Sequence, residues 1–290
     1  MKLKIVWTAI PLIAIIAVIF VVYGQSENPM IENKIAVESF DDPLKEIGLP
    51  QYSSIFRVFL YQKDAYMNND VPTAKTQQFE LKPDMKDLYT DIALWDEPQN
   101  TIVIIPIFTI SAYAQSGFYA YYDGVCDESC LTTNIFYDDQ ISYAGSQNAI
   151  KVLKLLGYQT ISDIEISKSP EIILEYDKVI LLHNEYVTQE VFDVITKHPK
   201  VLYLYPNALY AEISTDYDKG TITLIRGHNY PEFEIKNGFN WEYENTHPYE
   251  FDNDCLEWEF YEINNGLMLN CYPELIIHSD KKLLQFIKDF

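Results

Sequence analysis

Glycine is scarce in this chain, at 10 of 290 residues. That scarcity leaves little room for the glycine-rich turns whose backbone amides cradle phosphates, and neither a Walker A loop nor a G-x-G-x-x-G fingerprint occurs. H-E-x-x-H and G-x-S-x-G are missing as well, so the common zinc-protease and serine-hydrolase signatures are excluded. Basic residues are also few. Against 43 Asp and Glu stand 21 Lys and Arg, a formal net charge of −22. So acidic a surface repels phosphodiester backbones, and nucleic acid is excluded as a partner. What the chain has in quantity is aromatic surface, with 23 Tyr and 15 Phe, and a hydrophobic share of 48% that fits a globular core.

Lys2 and Lys4 precede an uncharged stretch from Ile5 to Ser26, apolar almost throughout to Val22. As a helix, such a stretch is about 30 Å long, the thickness of a bilayer's hydrocarbon core. A cleavable signal has a shorter apolar region of roughly 7–15 residues and a small-residue cleavage site, which Val22-Tyr23-Gly24 supplies poorly. Residues 1–24 therefore read as a single-pass membrane anchor, with a cleaved signal, and hence a secreted protein, as the alternative. The lysines put the N-terminus inside and the rest of the chain outside the cell membrane. In an oxidising compartment, Cys126, Cys130, Cys255 and Cys271 are expected to form disulfides, and proximity favours Cys126–Cys130 and Cys255–Cys271. A two-residue turn at Asn265-Gly266 would set Cys271 opposite Phe260, so the second bridge needs a bulge or an early strand end. Zinc at Cys126-x-x-x-Cys130 is the weaker alternative.

Residues 25–45 are polar and read as a stalk, and 46–100 as a small β-rich region or an extension of the main domain. From residue 101 to 290 the pattern is α/β. Thr101–Ile110, Lys178–Leu182 and Val201–Tyr205 are continuous apolar strands of the kind buried on both faces. Thr132–Tyr137 and Tyr158–Ile164 are further strands. Helices are expected from Ser146 to Leu156, with Gly157 ending it, and from Thr188, as N-cap, to Lys197. This alternation means βαβ units and a mostly parallel sheet. After Asn207, Thr221–Ile225, Leu256–Ile263 and Leu267–Tyr272 suggest an antiparallel extension, and the tail reads as a helix capped by Ser279.

Open parallel sheets bind ligands beyond the carboxyl ends of their strands. Those ends carry Tyr113, Asp138 and Asp139, His183-Asn184-Glu185-Tyr186, Asn207 and His228. His183 and Glu185 are two apart, so in extended chain they share a face, where a carboxylate and an imidazole can hold a metal or tune each other. Asn207 adds an uncharged donor able to polarise a carbonyl. The tyrosine-rich stretch Ser116–Asp123 suits a sugar or a cationic amine, and otherwise packs as a loop beside its cysteines. Asp252-Asn253-Asp254 lacks the Gly and Glu of a calcium loop and reads as a turn.

The segment Lys178–Ile213 contains His183-Asn184-Glu185-Tyr186 at a strand end, then a helix, then a strand ending near Asn207. With Tyr143–Tyr158 (YAGSQNAIKVLKLLGY) before it, this segment resembles the C-terminal catalytic domain of the N,N-dimethylformamidase large-subunit family, a class I glutamine amidotransferase-like fold. The resemblance runs from about Asn134 to Ile213. It implies hydrolysis of a small amide by a mononuclear iron, or another divalent ion, held by two tyrosinates and a glutamate. On that pattern Glu185 is a metal ligand and Tyr143 the leading tyrosinate, with Tyr137 or Tyr113 behind it. His183 becomes the acid/base and Asn207 orients substrate. Leu182, Val187 and Tyr205-Pro206 depart from the family's Gly, Trp and glycine-rich approach. A glutaminase is disfavoured, because Pro206-Asn207-Ala208 stands where a nucleophilic Cys would be needed. The expected fold is three-layered, with a mostly parallel sheet of glutamine amidotransferase-like or flavodoxin-like type, an antiparallel extension and a C-terminal helix. The expected function is a membrane-anchored, extracytoplasmic amidohydrolase-like domain acting on a small-molecule amide, amine or sugar. The alternative is a non-catalytic cell-surface module that kept the fold.

Overall fold

The computed structural model describes residues 44–46, 53–61, 65–68, 71–74, 77–137, 143–243 and 254–290. The expected anchor and nearly all of the stalk lie outside them, as do Asp138, Asp139, Asp252 and Asn253. No helix among the described residues is long and apolar enough to cross a membrane.

The strands run β1 (Leu44–Glu46), β2 (Phe56–Tyr61), β3 (Ala65–Asn68), β4 (Val71–Ala74), β5 (Gln77–Leu81), β6 (Thr101–Ile105), β7 (Thr132–Asn134), β8 (Gln159–Ser162), β9 (Lys178–Leu181), β10 (Tyr186–Val187), β11 (Val201–Tyr203), β12 (Ala211–Asp216), β13 (Thr221–Arg226), β14 (Phe260–Ile263) and β15 (Gly266–Leu269). The α-helices are α1 (Lys86–Ile92), α2 (Ile107–Ala112), α3 (Tyr119–Tyr122), α4 (Gln147–Leu155), α5 (Asp163–Lys168), α6 (Gln189–Lys197) and α7 (Lys281–Asp289).

The frame is a six-stranded mixed sheet in the order β14-β15-β11-β9-β6-β8. All neighbours are parallel except β14, which returns antiparallel along β15. Strands β6, β9 and β11 are apolar without interruption because both faces are covered. On one face Val103, Ile180 and Leu202 pack with Leu153 of α4 and Leu283 and Ile287 of α7. On the other, Ile104, Val179 and Val201 meet Ile166 of α5 and Val191 and Ile195 of α6. Strands β1, β2 and β5 form a separate antiparallel sheet, and Phe56, Val58 and Phe79 join the first of these clusters.

A second, four-stranded sheet runs β10-β12-β13-β7. It contains β7, which the sequence pattern put in the parallel sheet. The reason is chemical: Thr132-Thr133-Asn134 buries only its middle residue, which suits one buried face and not two. The last helix also starts one residue later than expected. Asp280, not Ser279, is its N-cap and accepts from the amides of Lys282 and Leu283 at 2.8 and 3.0 Å. At its other end the Lys178 ammonium donates to the carbonyls of Ile287 and Lys288, so the central strand caps the C-terminal helix.

Both expected disulfides are present, Cys126–Cys130 and Cys255–Cys271, and no cysteine is free. Such bridges fit an extracellular or secreted protein. The hairpin turns at Asn264-Asn265, with Ile263 opposite Gly266, and β14 begins only at Phe260. The early strand end lets Cys255, in a left-handed conformation at φ 46°, come round to Cys271. Gly266 is required at this crossing, since a Cβ there would lie 1.7 Å from the Val201 carbonyl oxygen of β11.

Candidate functional site

Beyond the carboxyl end of β9 the chain gives Leu182, His183, Asn184 and Glu185 before entering β10. The loop is stitched by backbone bonds to the segment after β11. Leu209 donates to the Asn184 carbonyl, and Tyr210 and Ala211 both donate to that of Glu185. Leu209 takes a left-handed conformation at φ 58° to do so. The two strand ends are thereby held as one piece, and Asn207 is brought against His183.

Glu185 is the centre of the cluster and only 1% exposed. Its Oε2 accepts a hydrogen bond from the Tyr113 hydroxyl at 2.8 Å. Tyr113 in turn accepts from Tyr119 at 2.6 Å, and Tyr119 meets Nε2 of His228 at 3.2 Å. Because Tyr119 spends its proton on Tyr113, His228 is the donor in that last contact. The same His228 Nε2 lies 3.6 Å from Glu185 Oε1. His183 Nε2 stands 3.4 Å from Oε2.

Local structure explains each placement. Helix α2 is short and wholly buried, and it hands Tyr113 to the site as its C-cap. Helix α3 carries Tyr119 and Tyr122, whose rings face His228 at 5.7 and 4.7 Å between centroids. His228 follows β13 in a turn where Gly227, His228 and Asn229 all have positive φ. Its side chain is 24% exposed, against 1% for Glu185.

The electrostatics follow from burial. His183 is pushed down to about 4 by desolvation, against upward pulls from the Ala144 carbonyl and Asn207, so its ring is neutral at pH 7. The Ala144 oxygen, 2.5 Å from Nδ1, makes that nitrogen the protonated one, and Tyr272 Oη stands 2.7 Å from it. Nε2 is then a lone pair facing a carboxylate. It reaches no hydrogen-bond partner among the described residues, and neither does Oδ1 of Asn207 beside it. Tyr113, Tyr119, Tyr122 and Tyr186 are all driven well above the ordinary tyrosine range by burial, with Glu185 adding to the rise. They remain phenols unless a cation comes among them. Burial also lowers His228.

Thus Tyr113, His183, Glu185 and Asn207 come together at one point, and His228 joins them. Tyr137 does not: it is 65% exposed. Tyr143 opens a short 3-10 turn, and its side chain lies outside the described residues. The sequence pattern had grouped Tyr119 with a separate aromatic stretch. Tyr205 and Tyr272, which pack their rings on His183 at 5.6 and 5.0 Å, carried no signal at all. Among the described residues no three His, Cys, Asp or Glu side chains are grouped so as to hold a metal ion. A metal here would need phenolate oxygens, and Tyr113 and Tyr119 are the two hydroxyls chained to Glu185. No family model matches this chain, and no curated protein matches it either.

Proposed function

We propose that the chain is a membrane-anchored, outward-facing amidohydrolase-like domain of glutamine amidotransferase-like type, in which one iron or other divalent ion serves the hydrolysis of a small amide. The observation that carries this reading is Nε2 of His183, a buried acceptor without a hydrogen-bond partner among the described residues, 3.4 Å from another acceptor, Oε2 of Glu185. A cation at this point would relieve that conflict. Two phenols and a carboxylate are also the donor set that the family resemblance implies, with Tyr113, one of the expected candidates, joined by Tyr119 in place of Tyr143 and Tyr137. When bound, the ion would supply Lewis-acid polarisation of the amide carbonyl. His183, held in one tautomer by Ala144, offers Nε2 as the acceptor of a proton from attacking water. Asn207 presents its side-chain amide to the same space and orients the substrate.

The rival reading, a non-catalytic cell-surface module for a cationic amine or sugar, is favoured by the near closure of the site and by the tyrosine rings around His228. Metal content separates the two. The purified chain should carry close to one equivalent of iron or another divalent metal, and Glu185→Gln should lose it while keeping the circular dichroism of the parent. A metal-free parent that cannot be loaded would end the amidohydrolase reading.

A further inference from the structure

Helix α5 begins with two carboxylates, and only one of them serves its own helix. Ser162 and Glu165 form a reciprocal capping box, Ser162 Oγ accepting from the Glu165 amide and Glu165 accepting from the Ser162 amide. Asp163 is left over. It is fully buried, and no cation pairs with it among the described residues. An isolated buried carboxylate is costly, and capping alone would be served by a neutral Ser or Asn.

Its bonds cross to two other elements. Asp163 Oδ1 accepts from the amide of Ile107 at 3.1 Å, and Oδ2 from that of Phe108 at 3.2 Å, which are the first two residues of α2. Oδ2 also accepts from the side-chain amide of Asn184 at 3.2 Å. Helix α2 ends at Tyr113, and Asn184 stands between His183 and Glu185. A helix of six residues has little stability of its own, so the position of its last residue depends on where its first turn is fastened. Apart from Asp163, the tie nearest the site between α2 and this strand end is the bond from the Tyr186 amide to Thr109 Oγ1 at 3.2 Å.

We infer that Asp163 is a positioning residue of the candidate site: through Asn184 and the first turn of α2 it sets the 2.8 Å contact between Tyr113 and Glu185. This inference rests on the proposed metal site for its functional meaning, but not for its geometry. Asp163 touches neither substrate nor metal in this scheme.

Two variants of the whole chain test it. Asn184→Ala removes the link and leaves the cap on α2 intact. Asn184→Leu keeps the size of the side chain and also removes the donor, so it serves as the second route if the first variant does not fold. The expected result is a crystal structure in which Tyr113 Oη and Glu185 Oε2 have separated beyond hydrogen-bonding distance while α2 remains helical. Iron affinity, measured by titrating the metal-free chain with the metal alone, should fall at least tenfold. The exchange Asp163→Asn with Asn184→Asp rebuilds the bond in reverse and should restore the contact, which a general loss of stability would not predict. An unchanged contact in both single variants would overturn the inference, whatever the metal does. If the unaltered chain takes up neither iron nor another divalent metal, the proposed function fails instead, and the contact distance alone decides the role of Asp163.

Discussion

Glu274 offers a perturbation whose size and sign both follow from the structure. Its carboxyl is fully buried and accepts from the Tyr205 hydroxyl at 2.6 Å and from the amides of Asn148 and Ala149 at 3.0 and 3.2 Å, at the start of α4. Burial nevertheless dominates and raises it from 4.5 to about 7. A carboxyl that is weaker when folded binds its proton more tightly in the native state. Its contribution is therefore greatest below the unfolded value of 4.5 and is lost as pH rises through about 7. At roughly 1.4 kcal/mol per pH unit, the loss between pH 5 and pH 8 amounts to about 2 kcal/mol. Glu274→Gln abolishes the titration and keeps one acceptor for the helix amides. Urea unfolding of both proteins at pH 5, 6, 7 and 8 cancels every other titrating group. The variant should gain about 2 kcal/mol on the parent across that range, whatever its offset at pH 5. Two stability curves that run parallel would refute the assignment and mean that the carboxyl titrates alike folded and unfolded.

Tyr113→Phe removes the donor on Glu185 Oε2 and should cost about 1–3 kcal/mol of stability, read by urea unfolding, with weakened metal uptake. Gly266→Ala drives a Cβ into the Val201 carbonyl and should abolish the β15–β11 pairing, seen as a lower Tm or loss of soluble protein. His183 and His278 are both pushed down to about 4, so the folded state refuses protons that the unfolded chain accepts. Their contribution is present above 6.5 and is lost as pH falls toward 4, so acid titration followed by near-ultraviolet circular dichroism should show unfolding in that window. Alkylation of the denatured, unreduced chain should find no free thiol.

The frame was legible because its chemistry is local. Thr101–Ile110, Lys178–Leu182 and Val201–Tyr205 announce double-sided burial by composition, but the first of these runs is a strand only to Ile105, because Pro106 ends it and Ile107–Ala112 is the buried helix α2. Thr188 caps α6 as its residue type demands, accepting from the Val191 amide. The cysteine pairs also followed from spacing. The partners of Glu185 did not. Tyr113 and His228 lie 72 and 43 positions away from it in sequence, and Tyr272 lies 89 from His183; only packing brings such residues together. Tyr119 was visible as an aromatic residue but not as part of a chain to Glu185, since nothing local tells which way a four-residue helix will face. The misplaced β7 has the same origin: three polar residues carry too little pattern to choose between two sheets.

The bridge between Cys255 and Cys271 has a consequence for how the protein must be made. Cys271 is followed at once by Tyr272, whose hydroxyl bonds His183, and three residues on by Glu274, which caps α4. The covalent pin thus holds the segment that backs the histidine. A chain produced in a reducing cytosol lacks that pin and folds with this wall of the cleft unfastened. In the reduced chain the segment behind His183 is held by its non-covalent contacts alone, among them the bonds of Tyr272 to His183 and of Glu274 to the first turn of α4.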